Sequence, residues 1–226
     1  KLRVEWRVFI QDIDLAGHTG SSLYIIGVRG LPFSGVFNGN GHTLSNFSWT
    51  TAVDYGDAVG VFGYVNGPDA QIKNLGLVNA NAGFAMYGSQ AGTLAATLVE
   101  GTVTACYATG SISSSTQVGG LIGVNEKGRI RNCYANVSVF GYGAVGGLIG
   151  ANHGRVARCY AAGRVEGYYG DIGGLVGYAS SGTTTASFWD TQTSGQATSA
   201  GGIGQFHRHD RYEMLRPEMV HRVSLA

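Results

Sequence analysis

The sequence predicts an all-β fold, a right-handed parallel β-helix (a β-solenoid) closed by a short C-terminal helical cap. Three observations carry that prediction. The first is a five-residue word, Gly119-Gly120-Leu121-Ile122-Gly123, which returns at Gly146 to Gly150 and again at Gly173 to Gly177, 27 residues further on each time. A degraded copy, Gly92-Thr93-Leu94, falls in register one step earlier, and a looser one stands at Gly60-Val61-Phe62-Gly63. The second is a companion word that keeps the same beat: Ala105-Cys106-Tyr107-Ala108, Asn132-Cys133-Tyr134-Ala135 and Arg158-Cys159-Tyr160-Ala161, in steps of 27 and 26. The third is residue type. The words are rich in Val, Ile, Tyr and Gly, none is long enough for a helix, and few charges are present to clothe an outer helical face. Self-similarity at a fixed period marks a solenoid, whose units bury their apolar faces only against neighbouring copies.

A third word in each repeat is an apolar β-branched residue, at Ile112, Val139 and Val165, followed by a Gly-, Ser- or Tyr-rich turn. Three words fenced by turn residues predict three strands and three bends per rung, with equivalent letters stacked about 4.8 Å apart. Leu94, Leu121, Leu148 and Leu175 then form one inward column. The three cysteines share a repeat position, so they read as a column of buried free thiols in the place of small hydrophobes rather than as a disulfide framework. Thiols in a row along an axis do not converge on a metal ion, and neither a metal nor a cofactor is expected.

These words resemble the GLUG motif, a repeat of large bacterial surface and secreted proteins, including segments of immunoglobulin A proteases and haemagglutinin-like adhesins. The stretch Asp12-Ile13-Asp14-Leu15, followed by residues 33–46 (FSGVFNGNGHTLSN), is similar to the opening rungs that precede such repeats. Ser187-Phe188-Trp189-Asp190-Thr191 with Ser199-Ala200-Gly201-Gly202 is similar to their ending. The resemblance implies the solenoid fold and a secreted or cell-surface location in a bacterium. It brings no catalytic residues, since the motif is defined by packing.

In chain order, residues 1–226 read as a single β-helix domain. Residues 1–59 are irregular opening rungs, with a strand over residues 7–15 turning Val8, Ile10, Ile13 and Leu15 to the core, then Leu23 to Ile26 and Val36-Phe37. Asn38 to Gly41 is a tight turn, and His42 beside it reads as a turn-capping side chain with no acidic or thiol partner nearby. Asp54 and Asp57 lie on a loop and are candidate calcium ligands, but a full site needs about six oxygens, which favours a solvated loop. Residues 60–205 are the repeat rungs, with Ile72, Leu75, Leu77 and Val78 in a core strand and a longer excursion near Phe84 to Tyr87. Residues 206–226 differ in kind, without glycine and dense in charge. Asp210 and Pro217 are suited to start short helices there, and such a cap covers the last rung's unpaired edge. His207 and His209 are read as parts of that cap.

The balance of charge is even: 13% of residues are charged, and the net charge is +1. It offers no field for nucleic acid or an anionic membrane. No apolar run reaches the roughly 18 residues of a bilayer span, so membrane insertion is not expected, and the first six residues lack the apolar stretch of a signal peptide.

Two outward regions carry candidate chemistry. Asn125 and Asn152 share a column two residues beyond the glycine words, where an asparagine ladder hydrogen-bonds along the axis. The next positions hold Glu126 and His153, a carboxylate and an imidazole one rung apart. The second region is the turn before each Gly-Gly pair. Ser113, Phe140 and Glu166 form one column there, and Gln117, Ala144 and Asp171 another, with Tyr142, Tyr168 and Tyr169 between them. Aromatic rings beside acids suit carbohydrate: rings for sugar faces, acids for hydroxyls or for glycosidic chemistry. Serine-hydrolase chemistry has no GxSxG elbow to support it. The expected function is an exported, non-catalytic module for adhesion or for binding a polysaccharide or cell-surface glycan, with Tyr142, Tyr168 and Tyr169 as the binding residues. The alternative is a glycoside hydrolase or polysaccharide lyase using Glu166 and Asp171, or Glu126 with His153. Hydrolysis would need two carboxyl groups about 5–5.5 Å apart for retention or about 6.5–9.5 Å for inversion.

Overall fold

A computed structural model describes residues 7–8, 10–18, 25–51, 58–84 and 90–205. The chain winds as a parallel β-solenoid. The turn that begins at Val118 shows its plan, with strands Val118–Gly119, Ile122–Asn125, Arg129–Arg131 and Tyr134–Gly141. Each pairs in parallel with its equivalents in the turns before and after. The four columns build sheets of four, five, seven and ten strands, here called sheets 1 to 4 in that order.

The three words of each repeat therefore do not become three strands. Gly119 ends a strand of sheet 1, Gly120 and Leu121 turn the corner, and Ile122 opens sheet 2. The Tyr-Ala word and the β-branched word fall in one long strand of sheet 4 at Tyr107–Ser113 and Tyr134–Gly141, and in two short strands of that sheet, Tyr160–Ala161 and Val165–Gly167, in the next turn. The extra strand, Arg129–Arg131, turns only Ile130 inward between two exposed arginines, too short an alternation to stand out as a word.

Inside, Leu94, Leu121, Leu148 and Leu175 stack fully buried, each N–H of the first three donating to the next leucine's carbonyl at 2.9–3.0 Å. The paired glycines have a steric cause. A Cβ on Gly119 would stand 2.0 Å from the Ile122 carbonyl oxygen, and one on Gly120 would stand 2.1 Å from that of Gly147. Between sheets 3 and 4 the chain turns through the left-handed region at Asn74, Ala105, Asn132, Arg158 and Ala186. The next residue in each turn points inward, giving the buried column Leu75, Cys106, Cys133, Cys159 and Ser187. The three thiols are free, and each donates to the carbonyl two residues earlier at 3.2–3.4 Å.

The opening turn departs from expectation. Ile10 is 87% exposed because it lies at the corner between a strand of sheet 3 and one of sheet 4, and Ile13 is exposed in its short edge strand, so neither joins the core. Leu15 packs against it. Val78 is only half-buried, since Leu77 takes the inward position. The side chains of Val8 and Phe84, the residues Leu23, Asp54, Asp57 and Ala85 to Tyr87, and the whole expected cap with His207 and His209 lie outside the described residues. Within them the final turn is closed by other means. Trp189 lies across Gly174, where a Cβ would come within 1.9 Å of the indole, and its Nε1 donates to the Gln196 carbonyl at 2.9 Å. A short helix, Thr191–Ser194, is N-capped by the Asp190 carboxylate, which accepts from the N–H groups of Gln192 and Thr193. No helix among the described residues is long and apolar enough to cross a membrane.

Candidate functional site

Sheet 4 presents the most differentiated outer surface. Along Tyr134–Gly141, Ala135, Val137 and Val139 face the core, which turns Tyr134, Asn136, Ser138 and Phe140 outward. One edge of the face carries an aromatic ladder in register, Tyr107, Tyr134, Tyr160 and Phe188. The Tyr107 and Tyr134 rings lie 5.0 Å apart and parallel within 2°. The other edge carries a second aromatic group. Phe140 meets Tyr142 edge-on at 5.7 Å and Tyr168 at 5.6 Å, Tyr142 stacks on Tyr168 at 5.4 Å, and Tyr169 tilts away at 6.5 Å.

The register explains why the rings gather there. The step between turns is 27 at Asn125 and Asn152 but 26 from Arg129 and Arg155 onward, so the Asn152–Arg155 bend is one residue shorter. The residue is restored between Gly167 and Ile172, which face Gly141 and Val145. The longer loop holds Tyr168 and Tyr169, 66% and 73% exposed.

Between the edges runs a shallow trough of two adjoining hollows. The larger, about 540 Å³, is lined by Phe140, Arg164, Glu166, Tyr168 and Ile172, with Gln192 to Gln196 forming a wall. The smaller, about 190 Å³, continues over Asn81, Ser111, Ser113 and Ser138 and shares Phe140, Arg164 and Glu166. The Arg164 guanidinium pairs with the Glu166 carboxylate across the strand face. The Gln196 side-chain amide donates to the Val165 carbonyl at 2.9 Å and ties the wall to the floor. Asp171 is exposed at the far end of the loop and lines neither hollow, and its carbonyl accepts from the N–H of Val145. The structure thus gathers Glu166, Tyr168 and Phe140 in the trough and sets Asp171 outside it. Sequence reasoning missed Arg164 and the Gln192 to Gln196 wall. Arg164 was legible in principle, two residues before Glu166 and hence on the same strand face.

The second candidate ridge is arranged differently. Asn125 and Asn152 form the buried ladder, and beyond them Glu126, His153 and Ser180 occupy one column at 27-residue steps. His153 Nδ1 and Ser180 Oγ are 2.8 Å apart, and the ring meets Tyr178 edge-on at 5.9 Å. No hydrogen bond joins Glu126 to the imidazole, so the structure pairs His153 with the turn after it rather than the turn before. His42 has an acidic partner after all: its Nδ1 lies 3.3 Å from Asp12 Oδ1, which also accepts from the Thr43 N–H at 2.8 Å. That Thr43 bond, with His42 assisting, holds the Asp12 carboxyl below its ordinary range. The partner comes from the preceding turn, 30 residues away in sequence. Among the described residues, no group of three or more His, Cys, Asp or Glu side chains could hold a metal ion.

What the trough can do follows from its chemistry. Exposed tyrosine faces beside a charged pair and a run of small hydroxyl and amide groups offer stacking to the apolar face of a sugar and hydrogen bonds to its hydroxyls. The sequence profile of the GLUG motif matches residues 114–139 and 141–166, so two adjacent turns of this solenoid are GLUG repeats. A solved structure from Bacteroides ovatus, described as that of a candidate immunoglobulin A1 protease, superimposes with a TM-score of 0.68 at 21% identity. It covers 88% of this chain and 77% of its own. That likeness is one of fold. No curated protein matches the chain.

Proposed function

We propose that this GLUG solenoid is an exported, non-catalytic module, secreted or carried on a bacterial cell surface, that holds a polysaccharide or cell-surface glycan in the trough on sheet 4. The observation that carries the reading is the packing of Tyr142 and Tyr168 against Phe140 beside the Arg164–Glu166 pair, on a trough open along the solenoid. The open shape fits a chain laid across several turns better than a small molecule, which calls for enclosure. Binding is favoured over cleavage because the Glu166 carboxylate is engaged by Arg164 and Asp171 lies outside the trough, so the two acids do not flank one bond. An exported setting accords with the low charge and with the bacterial surface proteins that the motif resembles.

The test is a polysaccharide screen with the purified chain, followed by titration of Tyr142→Ala and Tyr168→Ala. A stacked ring contributes about 0.5–1.5 kcal/mol, so each variant is expected to bind up to about tenfold more weakly without loss of thermal stability. Unchanged binding in the double variant would remove the trough from the account. Hydrolysis that disappears in Glu166→Gln would shift the reading to a glycoside hydrolase.

A further inference from the structure

The outer face of sheet 3 carries a concentration of positive charge that the near-zero net charge conceals. Arg129 lies in register with Arg155 on the adjacent strand, and Arg131 with Ala157 and Thr104. Lys73 follows Thr104 in the same column, Lys127 stands in the bend leading into the sheet, and Arg158 holds the corner leaving it. All but Lys73 are exposed. These residues are as much as 85 positions apart in sequence (Lys73 to Arg158), and the register brings them onto or beside four successive strands spaced about 4.8 Å apart.

Like charges placed opposite one another on a sheet are destabilising, yet these strands carry no acid to neutralise them. The acids preceding the sheet, Asp69, Glu100 and Glu126, stand in the bends, the last beside Lys127. The ion pairs of the described residues are Asp12–His42 and Arg164–Glu166, both elsewhere. Two guanidinium groups are instead steadied by neutral neighbours: Arg131 Nε donates to Thr104 Oγ1 at 3.3 Å, and Arg158 Nε to Asn132 Oδ1 at 3.0 Å. A side chain held this way loses less freedom on binding.

From this geometry we infer that the outer face of sheet 3 is a second binding surface, independent of the trough, and that its occupant is a polyuronate chain. Arginine presents a planar fork that matches a carboxylate bidentately, and arginine outnumbers lysine here. The occupant is a polymer because the charges spread along the axis, with Arg129 and Arg155 one strand spacing apart, comparable with one pyranose of an extended chain, and Lys73 and Arg131 two spacings apart in the next column. The interleaved Thr102, Thr104, Thr183 and Thr185 supply hydroxyls for the uncharged groups between carboxylates. Single-stranded nucleic acid fits less well, since its affinity draws on aromatic platforms. The paired strands of sheet 3 at Gln71–Lys73, Thr102–Thr104, Arg129–Arg131, Arg155–Ala157 and Thr183–Thr185 present none. The neighbouring rings Tyr107 and Tyr134 lie around the corner and stack on each other.

The experiment is retention of the whole chain on immobilised polygalacturonate, with elution by salt, and titration in solution. The informative variant is Arg129→Thr/Arg155→Thr, because threonine already occupies that column at Thr102 and Thr183 and the strand accepts it. The parent chain is expected to be retained at low salt and released as salt rises. The double variant should bind at least tenfold more weakly with the same unfolding temperature, and Tyr168→Ala should bind polygalacturonate as the parent does. Equal binding by the double variant overturns the proposal. Tighter binding of DNA than of polygalacturonate at one ionic strength, or equal retention on a neutral polysaccharide, overturns the choice of occupant.

Discussion

Asn125 Nδ2 donates to Asn152 Oδ1 at 2.8 Å, one full turn along the solenoid, with both side chains buried. The column runs from Leu98 through these two to Ala179, so the ladder is two residues long between apolar neighbours. Asn152 Oδ1 also accepts from the Gly154 N–H at 3.2 Å, whereas Asn125 Oδ1 has no hydrogen-bond partner. Removing Asn152 would leave the Asn125 amide with the Gly128 carbonyl at 3.3 Å as its remaining partner. Asn152→Ala should therefore cost about 1–3 kcal/mol, the range for stranding a buried polar group. Asn125→Ala/Asn152→Ala should cost less than the sum of its single changes. Urea denaturation around that cycle checks it, and strictly additive energies would show that the ladder does not couple the turns.

Leu148 sits at the centre of its column with Leu121 and Leu175 on either side, all fully buried. A neighbouring turn cannot move in to fill a void here, because successive turns already meet closely: a Cβ on Gly120 or Gly147 would stand 2.1–2.2 Å from the carbonyl oxygen of the next turn's glycine. Leu148→Ala should lower stability by about 2–5 kcal/mol, with the denaturation midpoint falling and the slope unchanged.

The period, the leucine column and the cysteine column were legible because a solenoid repeats its contacts at fixed sequence steps, so inward residues announce themselves by recurrence. The strand over Arg129–Arg131 was hidden because one inward isoleucine between two arginines has no apolar run. The opening turn was misread at Ile10 and Ile13 for a related reason: alternation marks a strand but does not say where a corner falls. In the trough, Glu166 and the tyrosines were visible as columns. The separation of Asp171 was not, since it depends on the path of the longer loop between Gly167 and Ile172, after which the register resumes. Register also made the basic face of sheet 3, which composition averaged away.

The corner between sheets 3 and 4 needs a left-handed residue in every turn. Asparagine supplies it at Asn74 and Asn132, but Ala105 and Ala186 adopt φ of 52° and 45° there. For a side chain without a local hydrogen-bonding group this conformation costs about 1–2 kcal/mol. Ala186 is exposed, so a longer side chain meets no packed neighbour. Ala186→Asn should raise the unfolding temperature, and Asn132→Ala should lower it. A fall in both variants would mean that the corner is set by packing rather than by backbone preference.

The tyrosine ladder makes stability depend on alkaline pH. Burial pushes Tyr134 up to about 12, with the charge of Tyr107 adding to it, and burial likewise pushes Tyr160 up to about 12, with Asp190 adding. In the unfolded chain both phenols ionise near pH 10. Below that value folded and unfolded chains hold the same phenolic protons, and stability is unaffected. Between about pH 10 and 12 the unfolded chain has released protons that the folded chain retains, so unfolding is increasingly favoured as pH rises. Burial also raises the Cys133 and Cys159 thiols well above their ordinary range, which acts in the same direction from a lower starting pH. Stability should therefore hold through neutral pH and fall across the alkaline range. Tyr134→Phe/Tyr160→Phe should flatten the upper part of that fall, and thiol reagents should label the native chain slowly and the denatured chain fast. Burial raises Tyr107 as well, so an identical alkaline profile in the phenylalanine variant would assign the loss of stability to the thiols and Tyr107.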